Sequence, residues 1–188
     1  PLWDCDRKST NLIIGMMNGT TINPNKNLII PDPWTVDLES MPQDFQKLGE
    51  SINNLATNYL NLSFFEKLST FISISKLLKY VGILYFSKVL IFGTYWGFKT
   101  KFKNLVFIGI YELLLLRIAI SLRTNKEYDR TILFFNTFAH IQHHYWKFKN
   151  NKPSAELAFG KEVFDWMIKI LKKNDFFNQK YIIHNGLN

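Results

Sequence analysis

Cysteine is almost missing from this chain, with Cys5 standing alone. One thiol excludes an internal disulfide and a thiolate zinc cluster, so any metal has to be held by imidazole, carboxylate or amide groups. Acidic residues are also scarce, 15 against 23 Lys and Arg, for a formal net charge of +8. Such an excess favours an anionic partner such as a phosphoester, a nucleic acid or an anionic membrane surface, without choosing among them. The lysines are spread along a chain also rich in Asn, Ile and Phe, a composition that A- and T-rich coding produces by itself. No helix-turn-helix or RNA-recognition pattern accompanies the charge, so nucleic acid is the partner least supported.

Long uninterrupted apolar runs are missing as well. The richest, Leu105 to Leu122, contains Glu112 and Arg117, and Leu77 to Phe98 is broken by Lys79 and Lys88. A charge near the middle of a membrane helix costs about 2.5–3.5 kcal/mol on insertion scales, which argues for buried amphipathic helices. Helices lying on a membrane surface are the alternative. The opening residues, Pro1 to Arg7, carry neither a basic start nor the apolar stretch of a secretion signal. A truncated or processed start is expected, and no compartment is assigned.

Apolar residues are plentiful, at 47% with 16% aromatic, enough for one hydrophobic core in a chain of this length. The run Asn11 to Met17, β-branched at its centre and closed by Asn18 and Gly19, predicts a buried strand entering a turn. Asn27 to Ile30 predicts a second extended piece, stopped by Pro31-Asp32-Pro33, whose prolines fix their own φ and move the preceding residues away from helix. Trp34 follows on that rigid corner.

From Asp44 the period changes to three and four, through Phe45, Leu48, Ile52, Leu55 and Tyr59, the spacing of a helix. Ser63 and Glu66 have capping-box spacing for a helix reaching Leu78. Further helices are expected over Ile83 to Gly93 and Leu105 to Leu122. Thr131 to Asn136 is a short apolar run suited to a buried strand. Ser154 caps an amphipathic helix ending near Asn174 and Asp175, and Tyr181 to Ile183 is expected as a last strand. This order predicts a single α/β domain over residues 1–188, or part of one, soluble and helix-rich. It has a mainly parallel sheet, flanking helices and a helical insertion or lid over residues 44–122. The strands at Leu12–Ile14, Ile132–Phe135 and Tyr181–Ile183 are expected to be neighbours.

In parallel sheets ligands gather beyond the carboxyl ends of the strands. Asn136 stands at such an end, and three of the four histidines follow it, at His140, His143 and His144. On a helix these three share a face, a spacing that lets imidazoles reach one metal. The same cluster, beside Tyr145 and Trp146, is equally explained by histidines that hydrogen-bond backbone at a packed helix end. His184 is an isolated further candidate.

Three stretches together resemble the alkaline phosphatase superfamily, in particular its type I phosphodiesterase and nucleotide pyrophosphatase branch. They are the strand Asn11 to Gly15, the corner Ile30-Pro31-Asp32-Pro33-Trp34-Thr35, and the segment from Phe134 to Trp146. The resemblance implies a metal-dependent hydrolase of phosphate or sulfate esters with two divalent ions, zinc foremost. It implies metal ligation at Asn136, where the family carries an aspartate, and at His140 four residues later. His184, with Asn185 and Gly186, falls near the family's Asp-His-Gly motif and is the third metal ligand implied within these residues, the family's first aspartate and a further histidine being expected upstream of Pro1 and downstream of Asn188. Trp34, His143 and His144 are implied to shape the substrate pocket, with Trp34 on the His140 side of the sheet. The family's Ser or Thr nucleophile belongs to a segment upstream of Pro1, so this chain alone is expected to be inactive. A noncatalytic relative that binds anions or partners is the alternative, favoured by the neutral amide at 136. Peripheral membrane contact through the basic, aromatic stretch Leu77 to Phe107 is the third reading.

Overall fold

The computed structural model describes residues 8–16, 19–32, 34–35, 45–46, 49–50, 53–54, 57, 78–101, 104–144, 148–149 and 152–174. For 104, 143–144, 148–149 and 152–153 the description is of the backbone. The fold is α/β, with a small parallel sheet and flanking helices. By packing, the chain forms two compact units, Pro1–Phe86 with Leu115–Phe134, and Ser87–Leu114 with Phe135–Asn188.

The first unit is organised by a sheet of β1 (Asn11–Ile14), β2 (Asn27–Ile30) and β3 (Arg130–Leu133), in the order β2-β1-β3. Both pairings are parallel, with Ile13 opposite Ile29 and Ile132. The central strand is buried throughout, which explains why it is apolar without alternation. Polar pairs fix the register at the amino ends. Asn11 donates to the Asn27 side chain at 2.7 Å, Asn27 donates to the Thr21 hydroxyl at 2.9 Å, and the Thr10 N–H donates to Asp129 at 2.7 Å. At the other end Gly15 has a φ of +78°, and a Cβ there would lie 2.5 Å from the Phe134 carbonyl oxygen. Glycine is therefore needed where β1 leaves the sheet beside the end of β3.

The expected strands at Leu12–Ile14 and Ile132–Phe135 are thus neighbours in a parallel sheet, although β3 starts at Arg130 and ends at Leu133. Phe134 still donates its N–H to the Ile14 carbonyl at 2.9 Å, but a helix starts two residues later. Tyr181 to Ile183 and the segment from Ser63 to Leu77 lie outside the described residues. Between β2 and β3, residues 45–46, 49–50, 53–54 and 57 are helical, and Phe45 stacks on Tyr80 at 5.1 Å.

The helices α1 (Leu78–Val81), α2 (Ile83–Thr100) and α3 (Asn104–Asn125) follow. α2 runs seven residues beyond its expected end at Gly93. Gly93 lies against Ile110, whose Cδ1 would be 2.1 Å from an added Cβ, so it permits close helix packing instead of stopping the helix. α3 has the length and composition of a membrane span, yet 72% of its apolar stretch is buried within the fold. That is the condition of a core helix apolar on all sides.

In the second unit α4 (Asn136–His144) is followed by a short antiparallel pair, β4 (Phe148–Lys149) and β5 (Lys152–Pro153), and by α5 (Ala155–Lys173). Ser154 caps α5 as its sequence predicts, its hydroxyl accepting the Leu157 N–H at 3.2 Å. Phe159 is completely buried and packs on Phe92 at 5.8 Å and Trp96 at 5.7 Å. The Trp96 indole N–H donates to Glu162 at 3.0 Å, satisfying the polar edge of a buried ring.

Candidate functional site

α4 begins at Asn136, three residues after β3 ends. The first N–H groups of a helix have no partner within it and carry the positive end of the peptide dipoles. Here a buried acid from α3 meets them. Oε1 of Glu112 accepts the N–H of Asn136 and, at 2.9 Å, that of Thr137. Glu112 is 4% exposed and Thr137 is completely buried, so water has little access to these bonds. Of the two charges in α3's apolar run, Glu112 and Arg117, the acid is explained by this cap, because a buried carboxylate needs donors.

Within α4, Asn136 and His140 are four residues apart on one helical face. Both side chains are half-buried. The segment from Asn136 is a regular helix, and its periodicity is what aligns the two. His143 and His144 continue that helix, with their side chains outside the described residues, as is all of His184. Asn136 and His140 offer an amide oxygen and an imidazole nitrogen, of which the imidazole is an ordinary ligand of zinc, an ion that takes four ligands in tetrahedral sites. An amide is a weaker ligand for a divalent ion than a carboxylate. Among the described residues no three His, Cys, Asp or Glu side chains are grouped to hold a metal.

The corner after β2, in the other unit, holds a second buried acid. Asp32 is 4% exposed and accepts the Thr35 hydroxyl at 2.7 Å. Burial raises its pKa above the usual 3.8, while donation from Thr35 and from the Trp34 and Thr35 N–H groups pulls the other way. The Asn53 side-chain amide bonds the Thr35 carbonyl at 3.0 Å, tying the corner to the helical segment that follows. Trp34 is half-buried.

Glu112 and Asp32 are the two residues that reading the sequence for a site passes over. Each had a signal. Glu112 is an acid in an apolar helix, and Asp32 lies between two prolines just beyond a strand. Comparison with protein-family models, curated proteins and solved structures gives no match to this chain.

Proposed function

We propose that this chain is part of a metal-dependent hydrolase of phosphate or sulfate esters, similar to the type I phosphodiesterase branch of the alkaline phosphatase superfamily. The observation that carries this reading is the pairing of Asn136 with His140 on one face of the helix that directly follows a parallel strand. Asn136 and His140, with His184, would hold the divalent ions. When bound, those ions would stabilise negative charge on the ester oxygens. Trp34, His143 and His144 would be the substrate-pocket residues, as the resemblance implies.

The second reading, a noncatalytic relative, is favoured by Glu112. A helix start following a parallel strand is a natural anion site, and in this chain a carboxylate of the protein already accepts its N–H groups. Zinc titration separates the two readings. The hydrolase reading expects stoichiometric zinc binding that weakens at least tenfold in His140→Ala and strengthens in Asn136→Asp. Absence of zinc binding in the folded chain, or affinity indifferent to both substitutions, would leave the noncatalytic reading standing.

A further inference from the structure

From Lys67 to Tyr111 the chain carries seven lysines and no acidic residue, leaving sixteen basic against fifteen acidic residues elsewhere. Nearly all of the +8 net charge therefore belongs to this one stretch. Its part in the second unit includes most of α2, a helix with two different faces. Val89, Trp96 and Thr100 are buried. Ile91, Tyr95 and Phe98, at helical spacings of four and three, are 71%, 51% and 72% exposed. Lys88 and Lys99 are exposed beside them, and Lys101 is exposed just past the helix end. Lys99 extends over Tyr95 at 4.3 Å and over Trp96 at 5.0 Å. A long lysine stem lying on aromatic surface with its ammonium in water is the disposition of side chains at a lipid interface.

We infer that this face of α2 docks the protein on an anionic lipid surface, with Ile91, Tyr95 and Phe98 entering the headgroup boundary and Lys88, Lys99 and Lys101 meeting the lipid phosphates and carboxylates. An exposed row of large apolar side chains marks an interaction surface, and the charge selects its occupant. A second copy of the chain would oppose lysines to lysines across the contact. An anionic bilayer supplies both an apolar layer and the missing negative charge. The inference is independent of the hydrolase reading, since none of these residues belongs to the proposed metal or substrate site.

The test is flotation of the intact chain with vesicles of phosphatidylcholine alone and of phosphatidylcholine mixed with phosphatidylserine. Binding is expected to the mixed vesicles, weakening as salt is raised from about 0.01 M to about 1 M and the screening length falls from ~30 to ~3 Å. The triple substitution Lys88→Gln, Lys99→Gln and Lys101→Gln should weaken binding about fivefold per lysine, roughly a hundredfold in all. Ile91→Ser with Phe98→Ser should abolish it while circular dichroism remains that of the unaltered chain. Absence of binding, equal binding to both vesicle types, or salt-insensitive binding overturns the inference without recourse to any variant. So does light scattering that reveals a dimer in the unaltered chain which the Ile91 and Phe98 substitutions dissociate in the absence of lipid.

Discussion

Replacing Glu112 by alanine leaves the start of α4 without its acceptor. The N–H groups of Asn136 and Thr137 both donate to Oε1 of Glu112, and complete burial of Thr137 keeps water from replacing the lost oxygen there. Each buried donor left unsatisfied costs about 1–3 kcal/mol, and loss of a carboxylate at the positive end of a helix adds about 0.3–1 kcal/mol or more. Burial of the carboxylate opposes this, because an acid out of water costs several kcal/mol that alanine does not incur. The net expectation for Glu112→Ala is a loss of about 2–4 kcal/mol. Glu112→Gln keeps the shape and one acceptor oxygen while removing the charge, so its loss should be smaller, about 1 kcal/mol. Urea unfolding followed by circular dichroism measures both, as a lower midpoint at unchanged slope. Hydrogen exchange at the amides of 136 and 137 should accelerate in the alanine variant before exchange elsewhere does. An alanine variant within about 0.5 kcal/mol of the parent, or a glutamine variant as unstable as the alanine one, would refute the account of Glu112 as a cap.

Two further outcomes follow from the strand ends. Gly15→Ala places a Cβ 2.5 Å from the Phe134 carbonyl at a φ of +78°, and should cost about 2–4 kcal/mol in urea unfolding; an unchanged midpoint would show that the β1 and β3 ends are not so close. Asp32 has a folded-state pKa raised above 3.8 by burial, so its contribution to stability is complete below the unfolded value and is lost as pH rises through the folded value. Asp32→Asn keeps an acceptor for the Thr35 hydroxyl but does not ionise, and should flatten the decline of stability with pH above about 4. Parallel stability profiles for the two proteins over that range would remove Asp32 as its cause.

The sequence is most legible where local chemistry and tertiary packing agree. Asn11–Ile14 is short, β-branched and bounded by polar residues, and its burial on both faces in the parallel sheet uses all of those features. Ser154 announces α5 because a cap and its Leu157 partner are three residues apart. Gly93 is legible only in part. Its helix-breaking tendency is local, while the reason it stays helical is Ile110, seventeen residues later. The same limit hides Glu112. Within Leu105 to Leu122 it reads as a charge opposing membrane insertion, and the donors that make it tolerable in a core lie 24 and 25 residues further on. The signal was its isolation, since a buried acid in an apolar helix demands an N–H donor, and a helix start is the richest nearby supply.

Glu112 also bears on why residue 136 is an amide. The N–H of Asn136 is bonded to that carboxylate, so the side chain of residue 136 is attached next to a negative charge. An aspartate at this position would bring a second carboxylate to the same helix start, and two like charges in a poorly solvated place repel. A divalent cation relieves that repulsion; without one, an amide does so by removing a charge. The amide at residue 136 therefore avoids setting a second charge beside the Glu112 carboxylate that caps this helix. His140, one helical turn from Asn136 on the same face, is the position whose substitution bears most directly on whether this helix start holds a metal.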